Sequence, residues 1–526
     1  MTSDSLNSQN KSNFINSLDD NDLSQGRTSD VSHASQTFRS HRSHSPPIED
    51  LPLIDQEITD SEDEDEFIRK YGDIQFQYIK PPKDNVWFIK PHALNYFKDG
   101  ILFRTKGERG SSRTELFLDL LYVGLIANLA GEATEEANGL ALLKYFLFFM
   151  PIWTVWADIK DFTNYYYNED LSQKLYIFWI LCLLTLYINS HYDITESYSK
   201  AAVTIVPYML CRLSLAASLV VYSFFIPEHR PQQRLYAAFI VVLSLCWLSV
   251  IFVSVRVKIA LSIVFFFLEQ VTFVFCYHPF VKRLMGLTMS TALNIEHEVE
   301  RFSTFVTIAI GEYLYKVVAT GPLGVGFSGS YARGVFLLAD AYILFWLYQY
   351  RSHSRKATHP LRRSGTTAIL WVYAHLPLIA ALVLSADAGG ELCAERNTST
   401  KKHQHHSEEL HERAESSSEE EKVNMYGLSF YYTGGITVSL LSMFVLGFIE
   451  KSNDPPGLFI FSKFWRIIWR IPIAIIIVMI SFAEMNSTLL MGIVTLLLAI
   501  LLVFESIVST PRNCLFVGKQ PTVNTV

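Results

Sequence analysis

The sequence predicts an all-α membrane protein, a polytopic bundle of about twelve transmembrane helices behind a disordered N-terminal tail. Half of the 526 residues are hydrophobic, and only 18% are charged. The apolar residues are concentrated in long windows, such as residues 235–255, 259–276 and 488–504, which carry almost no charge and no polar stripe. A large soluble helical protein would need amphipathic helices instead, so insertion into a bilayer is the simpler interpretation.

The N-terminal segment is hydrophilic. Residues 1–83 are rich in Ser, Asn, Asp and Gln and predict a disordered cytosolic tail, followed by a juxtamembrane segment at residues 84–114. The acidic run at residues 60–66 fits solvated charges, with a docking or phosphorylation segment as the alternative. Glu49, Leu53 and Ile54 match the acidic dileucine pattern. That match suggests contact with a sorting adaptor and an endosomal or vacuolar membrane, beside the plasma membrane.

The apolar windows set the order of the spans. We expect helices near residues 115–131, 141–158, 173–192, 201–225, 235–255, 257–276, 302–319, 331–350, 366–386, 429–450, 467–484 and 488–507. The loop after the eighth span, residues 350–363, is the most basic and should face the cytoplasm. Counting helices from this loop places both termini in the cytoplasm, including a C-terminal tail at residues 508–526.

One long loop, residues 387–428, then lies outside the membrane. Its sequon at Asn397 predicts glycosylation. The loop also carries four histidines among many glutamates, but their spacing defines no single metal geometry; they are His403, His405, His406 and His411. We expect a solvated loop, with capture of zinc or copper as the alternative. No cofactor and no nucleic-acid partner are expected.

Charged side chains inside a bilayer are costly and therefore mark functional candidates. Glu115, Asp119 and Tyr122 share one face of the first span. On the seventh span, Arg301 should lie at the depth of Asp119 and pair with it, a contact whose simplest role is structural. Glu312 should then lie near the bilayer midplane, with a local pair to Lys316 as the alternative.

Four further spans carry polar residues about halfway along their length: Arg212, Glu269, Asp340 and His375. Together with Glu312 they predict a common polar cavity rather than separate packing contacts. Such a cavity suits a transporter or channel-like protein that moves a proton, an ion or a small solute. The alternative from another class is a membrane scaffold or sensor that does not transport.

The residues give little support to an enzyme. The stretch from His297 to Arg301 resembles the start of an HExxH zinc-protease helix, but Arg301 occupies the position of the second histidine and would repel a metal. The sequence has no GxSxG element either. We therefore expect no enzymatic activity, and a membrane-embedded metal-dependent hydrolase is kept as a second alternative.

Three elements resemble the low temperature requirement protein A (LtrA) family of multipass membrane proteins. ELFLDLLYV at residues 115–123 is similar to the family's ELFFDLVFV, and YAHLPL at residues 373–378 to its YxHLPL helix. HEVERF at residues 297–302, followed by Gly311 and Glu312, is similar to its HxxERF…GE element. Leu118, Leu121 and Tyr122 depart from the first pattern and suggest a divergent, eukaryotic-type branch.

The resemblance implies a membrane-helix core over residues 115–386, and the apolar windows add further C-terminal spans at residues 429–507. It also implies a shared polar set, consisting of Glu115, Asp119, His297, Glu300, Arg301, Glu312 and His375. It does not imply a reaction, so the function has to be argued from the site.

Overall fold

The computed structural model describes residues 75–80, 85–105, 109–194, 196–319, 326–349, 359–394, 424–451, 459 and 461–510. The dileucine match, the acidic run, the sequon at Asn397 and the four histidines of the predicted loop lie outside these residues.

Twelve helices within the described residues are long and apolar enough to cross a membrane, which confirms the predicted polytopic all-α bundle. They are α1 Arg113–Glu136, α2 Gly139–Tyr166, α3 Leu171–Ser190, α4 Tyr198–Phe225, α5 Arg230–Ile251, α6 Val255–Tyr277, α7 Ile295–Ala319, α8 Gly329–Gln349, α9 Gly365–Ala394, α10 Met425–Ile449, α11 Lys463–Ala483 and α12 Ser487–Val508. Large apolar side chains such as Phe178, Phe224 and Phe267 remain exposed on the outside, where lipid would cover them.

A small sheet covers one end of the bundle. Its strands, β1 Phe76–Ile79, β2 Asn95–Lys98, β3 Ile101–Thr105 and β4 Met289–Thr291, lie in the order β1-β3-β2-β4. β2 and β3 form a hairpin whose turn residues, Asp99 and Gly100, both have positive φ angles. β4 lies between α6 and α7 and pairs antiparallel with β2. We call this end of the bundle the sheet end, and the other the far end.

The sheet corrects the predicted organisation of the N-terminal region. Residues 76–79 belong to the segment predicted to be disordered, yet they pair in parallel with β3. The juxtamembrane segment supplies β2 and β3. Tyr96 of β2 and Phe103 of β3 lie opposite each other, and their rings stack with centroids 4.9 Å apart. This contact gives the short strands a packed face.

Three helix bounds that affect the site also differ from the prediction. α9 continues to Ala394 and α10 begins at Met425, so residues 387–394 and 425–428 of the predicted external loop belong to helices. Asp387 is therefore a buried helical residue, which is tolerated because it pairs with Lys316 of α7. α2 continues to Tyr166 instead of ending near residue 158, which brings further charged residues into the bundle.

Close packing joins α9 to α10. A Cβ added at Gly435 would lie 2.5 Å from Ser385 Cβ and 2.7 Å from the carbonyl oxygen of Ala381. Helices approach this closely in membranes where small residues leave the backbone accessible. α9 also packs against α7, α1 and α8, so it lies at the centre of the bundle.

Candidate functional site

The sheet-end cavity is the space of about 490 Å³ that extends from the sheet into the bundle. Residues of β2, β4 and the connection before α9 line it at the sheet, and residues of α2, α4, α5, α6, α7 and α9 line it deeper in the bundle. Its charged lining residues are Asp158, Lys160, Asp161, Arg212, Glu269, Lys282, Glu298 and Arg362. The volume falls within the roughly 300–1,000 Å³ of small-molecule sites.

The inner end of this cavity is a cluster around Arg212. The guanidinium pairs with Asp158 of α2, and its Nε lies 3.8 Å from Glu269 Oε1 of α6. Glu269 also accepts hydrogen bonds from Tyr208 at 2.6 Å and from Trp247 at 3.0 Å. The cluster therefore joins α2, α4, α5 and α6, and it contains two of the residues predicted from the sequence.

A second cluster lies nearer the sheet. Lys160 contacts Glu298 of α7, and its Nζ lies 2.7 Å from Asp161 Oδ1. Lys160 and Glu298 are almost completely buried, and the side chain of Asp161 is 13% exposed. Asn164 donates a hydrogen bond to Glu298 at 3.3 Å. Neither Lys160 nor Asp161 was among the predicted site residues, because the predicted second span ended before them.

The predicted pair of Asp119 and Arg301 is present. Arg301 Nη1 donates to Asp119 Oδ2 at 2.7 Å, and Trp156 of α2 donates to the other carboxylate oxygen at 2.8 Å. One turn away, Glu115 Oε1 lies 2.8 Å from His297 Nε2. Glu115 also closes a capping box with Ser112 at the start of α1, so the helix terminus fixes its position.

The remaining predicted residues of α1 and the first half of α7, Tyr122 and Glu300, have different environments. Tyr122 is fully buried, and its hydroxyl has no hydrogen-bond partner among the described residues. Glu300 is exposed at the surface of α7, where its carboxylate would lie 2.9 Å from a Cβ added at Gly110. It is therefore separated from the buried cluster formed by the neighbouring Arg301.

The far-end cavity, about 710 Å³ in volume, lies between the C-terminal halves of α1 and α7. Its polar lining includes Asn128, Glu132, Glu135, Tyr192, Glu312 and Lys316. Glu312 is largely buried, and its Oε1 has no hydrogen-bond partner among the described residues. Lys316 pairs with Asp387, which also accepts a 2.5 Å hydrogen bond from Thr134.

Asp340 and His375 line neither of these two cavities. Asp340 accepts a hydrogen bond from Tyr432 in the packed core. His375 contacts the carbonyl oxygen of Trp371 through Nδ1 at 2.8 Å and Tyr348 through Nε2 at 3.2 Å. The structure thus divides the predicted common cavity into two cavities at opposite ends and two internal packing contacts.

Burial affects the basic groups at the sheet end of the cavity, outside the spanning helices. It lowers the pKa of Lys282 to about 8, and Lys282 Nζ donates to the carbonyl oxygen of Thr291 at 3.4 Å. Burial also lowers the pKa of Arg362, whose Nη1 has no hydrogen-bond partner among the described residues. Nearby, burial and then the charge of Lys282 lower the pKa of His229 to about 3.

No group of three or more His, Cys, Asp and Glu side chains suited to hold a metal ion occurs in the part of the chain that the structure describes. Arg301, which occupies the position of the second histidine in the HExxH-like stretch, forms the ion pair with Asp119.

Comparison with known proteins identifies the family. Neither a search of curated proteins nor a search of solved structures returned a match. The family model described as bacterial low temperature requirement A protein (LtrA) matches residues 111–504, which include all the residues of both charged clusters and of the Asp119–Arg301 pair. The chain is therefore a member of the LtrA family of multipass membrane proteins.

Proposed function

We propose that this protein carries a small polar solute or an ion across the membrane, using the sheet-end and far-end cavities as its two access sites. The observation that carries this proposal is the position of the two cavities. On α7 the lining of the sheet-end cavity reaches Glu298, and the lining of the far-end cavity begins at Ile308. The two sites are thus about 15 Å apart along this helix, at 1.5 Å per residue.

Packed rings fill the intervening turns. The ring centroid of Trp156 lies 5.2 Å from that of Phe302 and 4.4 Å from that of Phe305. Arg301 and Asp119 pair at the same level. A transporter needs such a closed layer between its two access sites, because an open path would allow uncontrolled leakage.

The charges inside the sheet-end cavity support a polar or charged cargo. Four carboxylates, those of Asp158, Asp161, Glu269 and Glu298, share the deeper part with two basic groups, Lys160 and Arg212. Buried charge of one sign has to be neutralised, so the excess of acid favours binding of a proton or of a cationic group.

We further propose that the sheet end faces the cytoplasm. Basic residues are concentrated there, including Lys174, Arg230, Lys282, Arg283 and Arg363. The far end has fewer basic residues within the described part of the chain, among them Lys144, Lys200, Arg256 and Lys258. This distribution agrees with the positive-inside rule.

Flux measured with the purified full-length protein in liposomes tests the transport proposal. The panel contains protons, alkali cations, divalent metals, inorganic anions and small organic solutes. Transport predicts that at least one of these moves, and that Asp161→Asn and Glu312→Gln reduce its flux to nearly the level of protein-free liposomes.

Glu169→Gln serves as the matched control, because Glu169 is exposed at the sheet end and lines neither cavity. It should leave the flux unchanged. Absence of flux for the whole panel, with protein that is monodisperse after reconstitution, would refute the proposal.

A further inference from the structure

We infer that the ligand of the sheet-end cavity is a soluble zwitterion, with its ammonium group among the inner carboxylates and aromatic rings and its anionic group at Lys282 and Arg362. This inference rests on the proposed function and specifies its substrate class. It assigns one chemical group of the ligand to each end of the sheet-end cavity, whereas the transport proposal assigns none.

The inner part of the cavity suits an ammonium group. Besides the excess of carboxylates, aromatic rings line it, including Trp153, Phe273 and Tyr373. Aromatic faces attract organic cations, and they do so most strongly where water is excluded. A metal ion would gain less from such a lining than an alkylammonium group.

The outer part suits an anion. Lys282 and Arg362 are partly desolvated, and neither pairs with a carboxylate among the described residues. Removing an unpaired cation from water is unfavourable, so an anionic ligand would compensate both groups. A simple cation would be repelled at this end of the cavity, and a simple anion would be repelled at the other.

The position of the basic pair favours a soluble ligand over a lipid headgroup. Lys282 and Arg362 lie in the connections at the sheet end, outside the spanning helices, and β2 and β4 line the cavity beside them. Glu269 lies eight residues, or roughly 12 Å at 1.5 Å per residue, before the end of α6, and Lys282 lies beyond that end. A ligand with well-separated charges therefore fits best.

Calorimetric binding to the purified full-length protein tests this inference. The probe is 6-aminohexanoate, and hexylamine and hexanoate represent its cationic and anionic halves. We expect 6-aminohexanoate to bind about tenfold more tightly than either half, because each charged contact contributes on the order of one decade.

Variants at the outer and inner parts of the cavity test the two predicted contacts separately. Arg362→Gln and Lys282→Gln should each lower the affinity for 6-aminohexanoate toward that of hexylamine, and the double variant should bring the two affinities together, while hexylamine binding stays unchanged. Asp161→Asn should weaken 6-aminohexanoate and hexylamine alike. Arg363→Gln and Glu169→Gln are matched controls at exposed positions outside the cavity lining and should bind like the wild type.

Two results would overturn the inference: hexylamine binding as tightly as 6-aminohexanoate, or no binding of any of the three probes. Flux of an inorganic ion without binding of the zwitterion would support the transport proposal and refute the zwitterion inference. Zwitterion binding with the predicted variant pattern but without flux would support the assigned site and refute transport.

Discussion

Arg301 and Asp119 join α7 to α1 through a 2.7 Å hydrogen bond between side chains that have no exposed surface. Trp156 of α2 binds the second oxygen of the same carboxylate. Three helices thus meet at one ion pair between the two cavities. Because the pair lies between the two cavities, removing its charges tests whether the layer that separates the cavities depends on charge.

We expect Asp119→Asn or Arg301→Met to lower the free energy of unfolding by about 3–5 kcal/mol, because each leaves a buried group without its charged partner. The double variant should lose less than the sum of the two. Reversible unfolding in mixed micelles of detergent and SDS measures these values. Arg113→Gln, at an exposed position on α1, is the control, and additive effects would contradict the pairing.

Gly435→Ala should destabilise the contact between α9 and α10 by about 1–3 kcal/mol, since its methyl group would overlap the Ala381 carbonyl oxygen and Ser385. Gly434→Ala is an adjacent control, because a Cβ at that position has no neighbour within 4 Å. The same unfolding experiment compares them. Equal stability of the two variants would show that α9 and α10 are not in close contact at Gly435.

Acid should weaken the fold through His229. Burial and Lys282 lower the pKa of this residue from 6.5 to about 3. Between these values the unfolded chain binds a proton that the folded protein does not, so stability falls as the pH falls below about 6.5.

Stability measured from pH 7.5 to pH 5 in the wild type and in His229→Gln checks this expectation. The variant should lose less stability than the wild type over that range, because carboxylates titrate in both proteins and the difference isolates the histidine. Identical slopes would contradict it.

Single cysteines test the proposed orientation. In a variant without the native cysteines, Glu196→Cys lies in an exposed connection at the far end and Glu169→Cys in one at the sheet end. An impermeant maleimide added to intact cells should label the first and not the second, and both should react after permeabilisation. The reverse pattern would place the sheet end outside.

Hydropathy alone predicted the twelve spans because an apolar window of sufficient length is a strong local signal. The Asp119–Arg301 pair was also predictable, since both residues lie at similar depth on their helices. By contrast, β1 to β4 contain only three to five residues each, and β4 is almost two hundred positions from its partner β2. No local pattern connects them.

The site was predicted incompletely for a related reason. Lys160, Asp161 and Asp387 were placed outside the spans because charged residues usually end an apolar window. In the structure each lies in a spanning helix, where an opposite charge close by compensates the cost of burial. Ion pairs between distant segments cannot be read from one window, although the charges at positions 158, 160 and 161 beside a run of tyrosines were a visible signal.

The order of strands in the sheet has a consequence for biosynthesis. β2 is made before any spanning helix, whereas its partner β4 leaves the ribosome only after the sixth. During that interval one edge of β2 remains unpaired, and such edges are templates for aggregation. A nascent chain that stalls before residue 289 would have six inserted helices, an open sheet edge and an unfinished cavity wall.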